Sequence, residues 1–310
     1  MAKIIILNLK GFFSNHTPLL KIFLLLGLLF LSFFLHHLLA LGVVSLLYEN
    51  GFDLFFSYDL TSQNSVNILK IIQFFSAIGT FITPLILYGY LTNFQYGFKT
   101  YFSRQAVLLS IGIVLLIAPI VSFLIEFNMS INFPTWMLKF DKDSEVIVLA
   151  FLKMDSFIDL LANLTVMAII PAIGEELFFR GFVQKNIHRV LRNPHLAIII
   201  TSILFSLIHF HLNGLIPRFI LGCVLGYMFY WSKSLWIPII AHFTNNALAI
   251  IISYPYFKSF DMAQNFNHYS ETDLPQTTDS AIIFSLFSVG ILLYLLFRNS
   301  KQVVSLRNRI

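Results

Sequence analysis

Charge is what this sequence has least of: only 11% of its 310 residues are Asp, Glu, Lys or Arg, against about 25% in a soluble domain. With 57% of the chain apolar, one water-facing surface cannot hide that much hydrocarbon. An ordinary cytosolic enzyme and a disordered protein are therefore excluded. A single cysteine, Cys223, excludes an internal disulfide and any Cys-based zinc knuckle. There is no internal repeat and no low-complexity tract. His-Glu-x-x-His, the commonest zinc-protease signature, is absent. Also missing is a basic block interleaved with aromatics in a polar domain, so the net charge of +5 does not point to nucleic acid. What is left is an integral membrane protein.

A membrane span needs about 20 mostly apolar residues. Eight runs stand out: Ile22–Tyr48, Val66–Leu91, Ala106–Phe127, Phe157–Phe179, Leu196–His211, Leu215–Trp231, Leu235–Tyr254 and Ala281–Phe297. The fifth and sixth are short and separated only by Leu212-Asn213-Gly214. The first is too long for a secretory signal core and lacks a clear small-residue cleavage site. Gly79, Pro84, Pro119 and Pro171 fall inside runs and predict kinks. The expectation is an all-α, multi-pass bundle of about eight spans forming one membrane domain, 1–310.

The charges orient it. With an inside N-terminus and eight spans, Lys3, Lys10, Lys21, Lys99, Arg104, Lys185, Arg189, Arg192, Lys233, Arg298, Lys301, Arg307 and Arg309 all fall inside. That satisfies the positive-inside rule. Both termini are then cytoplasmic, the membrane is the plasma (inner) membrane, and the Asn128–Ser156 and Pro255–Ser280 loops lie outside. All acidic residues but two fall on the outside. The exceptions are Glu175 and Glu176, adjacent in the fourth run.

An ionised carboxylate at a span centre costs roughly 2.5–3.5 kcal/mol on insertion scales, unless it is paired or faces a wet cavity. Arg180 lies four residues after Glu176 and shares its helix face, so these two can pair. Glu175 is rotated by about 100° and stays available. A solvated cap at the membrane boundary is the plainer alternative for all three. Further on, Phe205 and His209 share a face near the end of the fifth run, with His211 on another face nearer the loop. His242 and Asn246 present two hydrogen-bonding groups to one side of the seventh. Asn245 points elsewhere. Taken singly, the histidines and Asn246 read as interhelical hydrogen-bonding residues.

Together they read as chemistry. Glu175 can take a proton from water, with His209 orienting that water or sharing the proton. His242 and Asn246 can donate hydrogen bonds to the oxyanion of a tetrahedral intermediate. No Ser or Cys nucleophile is needed, and Cys223 reads as packing.

Glu175-Glu176-x-x-x-Arg180, Phe205-x-x-x-His209 and His242-x-x-x-Asn246, in that order, resemble the three motifs of the CAAX protease and bacteriocin-processing (Abi) family. Its best-known members are the type II CAAX prenyl endopeptidases. The resemblance covers roughly Ile170–Leu248, about a quarter of the chain, including the family's four-helix catalytic core. Within the single domain the expected division is N-terminal helices and loops over 1–156, a catalytic core over 157–254, and an outside loop with a last helix over 255–310, and the resemblance does not reach the first 156 residues. It implies Glu175 as general base with His209 as its partner, His242 and Asn246 as the oxyanion-stabilising pair, and Glu176 and Arg180 as supporting residues. The activity implied is an intramembrane endopeptidase acting on a membrane-associated peptide or protein; no cofactor is expected, since Asn246 on the His242 face suits an oxyanion hole better than a metal shell. Two alternatives stay open: a zinc protease whose ligands are Glu175, His209 and His242, and a non-catalytic immunity or binding protein of the same fold. A proton-coupled transporter is disfavoured, because the ionisable groups cluster in one half of the chain with no repeat-related partners.

Overall fold

The computed structural model describes residues 9–57, 60, 62–98, 103–134, 146–254 and 278–307. Among these, all regular structure is helical. Each of the eight apolar runs forms helix: α1 (Pro18–Leu47), α2 (Gln63–Thr92), the bent pair α3 (Arg104–Leu116) and α4 (Ala118–Met129), α6 (Phe157–Leu191), α7 (Pro194–Leu207), α8 (Leu215–Ser232), α9 (Trp236–Ser253) and α10 (Asp279–Arg307). Six helical stretches are long and apolar enough to cross a membrane, and up to seven if the bent pair is one span. The chain is an all-α polytopic membrane protein. The fifth run, α7, has 14 residues, about 21 Å of helix at 1.5 Å per residue, which falls short of a hydrocarbon core of about 30 Å. A further helix, α5 (146–152), stands between α4 and α6 where a loop was expected. The 255–277 part of the other expected loop lies outside the described residues, as do Lys3, Asp59, Lys99, Asp141, Asp143, Glu145, Asp261, Glu271, Asp273 and Arg309.

Proline explains where the long helices deviate. Pro lacks the N–H that would bond the carbonyl four residues back. Ahead of Pro84 and Pro171 the helix widens to π geometry, at Ile78–Ile82 and Leu164–Ile169. At Pro119 the chain instead bends by 43° between α3 and α4. A third π segment, Leu177–Gln184, contains no proline. Such widened turns recur at functional sites.

The central helices are the ones that carry the motifs. α9 packs into one core with α3, α8 and α10 through Ile113, Leu225, Met228, Ile237 and Ala241. A second core joins Leu25, Leu85, Leu177, Leu235 and Ile239 of α1, α2, α6 and the start of α9. Outer helices turn large apolar residues outward, such as Phe30 on α1 and Phe287 on α10, where lipid rather than water is the solvent. α1 is held to α2 by polar contacts: His36 and His37 bond the carbonyls of Ser32 and Phe33 with Nδ1, and the hydroxyls of Thr83 and Ser76 with Nε2. Such bonds join helices where hydrophobicity gives no driving force.

The two ends of the bundle differ. At one end, Asn299 of α10 bonds Gln105 at the start of α3 (2.8 Å), Trp231 of α8 packs edge-on to Phe297 of α10 (5.6 Å between ring centroids), and Gln184 of α6 donates to the carbonyl of Gly226. Arg104, Lys185, Lys233 and Arg298 therefore gather at a single end. At the other, the fully buried Asn128 at the end of α4 donates to the Leu212 carbonyl and accepts from Ile216 N–H, pinning the turn between α7 and α8.

Candidate active site

The first motif lies midway along α6, beyond the Pro171 deviation. Glu176 and Arg180 are four residues apart and completely buried, joined by Arg180 Nη1 to Glu176 Oε1 at 2.7 Å. Burial of both excludes the solvated cap. Arg180 also donates from Nη2 to the Gly222 carbonyl of α8, and its guanidinium lies 4.6 Å from the Phe205 ring centroid. One turn on, Gln184 repeats the pattern on the Gly226 carbonyl. α8 comes this close to α7 because both positions are glycine: a Cβ at Gly222 would meet Ser202, and one at Gly226 would meet Ile198 at 2.8 Å.

The ion pair has a third member that helix spacing does not reveal. His242 Nδ1 lies 2.8 Å from Glu176 Oε1, the oxygen that already accepts from Arg180. A carboxylate can only accept here, so Nδ1 carries the hydrogen and Nε2 is the nitrogen turned toward Glu175. His209 is set in the same way. It follows the C-terminus of α7, where carbonyls lose their intrahelical partners, and its Nδ1 lies 2.8 Å from the Phe205 carbonyl. The next residue, Phe210, takes a left-handed conformation (φ 48°), which costs a bulky residue roughly 1–2 kcal/mol, three residues past the end of α7 at Leu207. Both free Nε2 atoms then face one atom, Glu175 Oε2, at 3.7 Å from His209 and 4.0 Å from His242. Phe205 packs edge-on to both imidazoles.

Asn246, one turn beyond His242, donates from Nδ2 to the Met167 carbonyl at 3.1 Å and accepts from Asn245 Nδ2. Met167 is four residues before Pro171, so its carbonyl is the one that the proline leaves without a helical donor. The kink thus places Asn246, and one amide hydrogen is left over.

These groups share a cavity of ≈ 470 Å³, lined by Glu175, His209, His242 and Asn246. Glu176 and Arg180 stay behind its wall. Asn245, expected to point elsewhere, lines the cavity as well. Gln73, Arg218 and an apolar wall of Ile147, Val148 and Phe151 supplied by α5 also line it, with no motif in the sequence to mark them. Val146–Leu152 is an unbroken apolar run, too short to be noticed as a span. His211 is not a rival to His209, since its carbonyl and Nδ1 each lie 2.7 Å from the Arg218 guanidinium. Among the described residues no three His, Cys, Asp or Glu side chains are arranged to hold a metal ion. Ligand atoms of a tetrahedral zinc lie about 3.3 Å apart, given bonds of 2.0–2.1 Å. Both imidazole-to-carboxylate separations here are wider, so the three groups as placed do not form a zinc shell.

Residues 157–248 match the family model described as type II CAAX prenyl endopeptidase Rce1-like. The curated protein named "Putative membrane peptidase YdiL", from Bacillus subtilis (strain 168), is 28% identical over 87 residues, which are 28% of this chain and 35% of that protein. The chain thus matches about a third of the length of this relative. No solved structure matches. The likeness to the CAAX protease and bacteriocin-processing family, carried by the three motifs, holds over residues 157–248, from the first turn of α6 to near the end of α9.

Proposed function

We propose that the chain is an intramembrane endopeptidase that hydrolyses a peptide bond with a water activated by Glu175 and His209. The observation that carries this reading is the convergence of two oriented imidazoles on one carboxylate oxygen inside an apolar bundle. Separations of 3.7 and 4.0 Å are too long for direct hydrogen bonds but within reach of one bridging water. Water held between His209 Nε2 and Glu175 gives its proton to the carboxylate, and its oxygen attacks the scissile carbonyl carbon. The carbonyl π electrons move to oxygen. That oxyanion accepts from the spare Asn246 amide hydrogen and, when the ring is doubly protonated, from His242 Nε2–H. The carbonyl re-forms as the C–N bond breaks, and Glu175 returns its proton to the leaving amine.

The remaining roles follow from burial. Glu176 and Arg180 hold His242 and do not meet substrate. The substrate is a membrane-associated peptide or protein, in keeping with the apolar wall that Ile147, Val148, Val166 and Leu221 give the cavity. The chain acts as one membrane domain, 1–310, in which 1–156 supplies the α5 wall, 157–254 the catalytic groups and 255–310 a closing helix. The basic end of the bundle faces the cytoplasm, with both termini, in the plasma membrane. Protein reconstituted in liposomes, assayed on a panel of membrane-anchored fluorogenic peptides beside Glu175→Gln, tests the reading. No cleavage of any peptide by wild type would instead favour the non-catalytic binding protein.

A further inference from the structure

A second cavity, of ≈ 220 Å³, lies at the basic end of the bundle, between the last turns of α6, the end of α8 and the segment around Gly97. Lys185 and His188 line it from α6, Tyr230 from α8, and Lys233 from just past the end of α8. Lys185 opens the last two turns of the span Phe157–Leu191, and Lys233 directly follows the span Leu212–Ser232. The cavity therefore sits at headgroup depth. Its cations are held in place. Lys233 Nζ lies 3.9 Å from the Tyr230 ring centroid, and Lys185 Nζ donates to the Gln95 carbonyl while lying 5.6 Å from the Phe94 ring.

Gln184, 5% exposed, closes the inner wall, its Nε2 donating to the Gly226 carbonyl. The opposite side is rigid. Gly97 holds φ +105° with its carbonyl bonded by Leu235 N–H, and a Cβ there would press on Phe229 at 3.0 Å. Beside it the buried Tyr96 hydroxyl donates to the Leu85 carbonyl, and burial holds its phenol above the ordinary range, so it stays a donor. An orientation signal needs positive charge at this end but no concavity. Complementing a helix dipole accounts for His188 in the last turn of α6 and Lys233 after α8, but not for Lys185.

We propose that this cavity binds the headgroup of an anionic phospholipid, with the phosphate against Lys185, His188 and Lys233. At about 30 Å³ per water the cavity equals about seven waters, room for a phosphate and a short polyol. Basic pockets between spans on one face of the membrane recognise lipids in this way. The site is separate from the cavity around Glu175 and stands whether or not the chain is a protease.

The test is lipid titration of the full-length protein in neutral detergent, read by thermal unfolding and native mass spectrometry. Phosphatidylglycerol should bind and raise Tm, phosphatidylcholine should not, and soluble glycerol 3-phosphate should have no effect at the same concentration. Lys233→Gln, at an exposed position that leaves the fold intact, should weaken phosphatidylglycerol about fivefold, and Lys185→Gln a further fivefold. Arg298→Gln removes the same charge at the same end away from the cavity and should change nothing. An equal loss in Arg298→Gln, equal binding of phosphatidylcholine, or tight binding of glycerol 3-phosphate alone would each overturn the proposal.

Discussion

His242 Nδ1 and Glu176 Oε1 are 2.8 Å apart across the α6–α9 interface, on an oxygen that also takes Arg180 Nη1 at 2.7 Å. Helical spacing gives Glu176 one partner; the fold gives it two. The second carboxylate of the first motif therefore sets which nitrogen of His242 faces Glu175, although it never reaches the cavity itself.

That relationship separates two kinds of failure. Arg180→Ala leaves Glu176 buried with no cation, and breaking a buried pair from one side costs about 3–5 kcal/mol. Protein should fail to accumulate, or unfold at markedly lower temperature in detergent. Glu175→Gln removes a group that is not in a direct hydrogen bond through Oε2, so protein level and Tm should hold while turnover is abolished. Retention of most activity by Glu175→Gln would remove it as the base.

Asn246→Ala tests the oxyanion assignment. Loss of one oxyanion donor typically slows chemistry by about 10²–10³, so kcat should fall by that factor with KM nearly unchanged. The same substitution also orphans the Met167 carbonyl. Pro171→Ala returns a helical donor to that carbonyl, so the stability losses of the two single variants should not add in the double variant. A coupling of about 0.5–3 kcal/mol in a double-mutant cycle is expected for groups in direct contact. Simple additivity would mean that the proline does not place Asn246.

Metal dependence is decided by metal content. Active, detergent-purified protein should carry no stoichiometric zinc, and prolonged 1,10-phenanthroline should leave cleavage intact. Stoichiometric zinc whose removal stops cleavage and whose return restores it would make Glu175, His209 and His242 ligands. Asn246→Ala would then matter far less than His209→Ala or His242→Ala.

Sidedness is read by cysteine accessibility. In a Cys223→Ala background, Lys153→Cys and Ser300→Cys should label from opposite faces of the membrane, with Ser300→Cys on the cytoplasmic one. The short α7 does not alter this parity. Gln184 at the end of α6 contacts Gly226 near the end of α8, so α7 and α8 form a hairpin that returns to the end it left, however deep it goes. Labelling of both positions from one side would refute the arrangement.

What the sequence by itself determined was whatever depends on composition and on neighbours along the chain. Scarce charge and long apolar runs dictate membrane helices, because backbone groups in hydrocarbon must bond within their own segment. Spacing of four residues puts Glu176 with Arg180 and His242 with Asn246 on common faces, and order along the chain carries the family likeness. Proline positions marked where helices would deviate, though not that two of them would widen into π turns while the third would bend. What only the tertiary structure decided was everything between helices: that His242 turns its Nδ1 to Glu176, that His209 reaches the same oxygen of Glu175, that Pro171 hands the Met167 carbonyl to Asn246, and that α5 closes the cavity. These contacts join residues as much as 79 positions apart. A helical period fixes a direction around one axis only, and which axis lies opposite is set by packing, here by the glycines that let α8 approach α7.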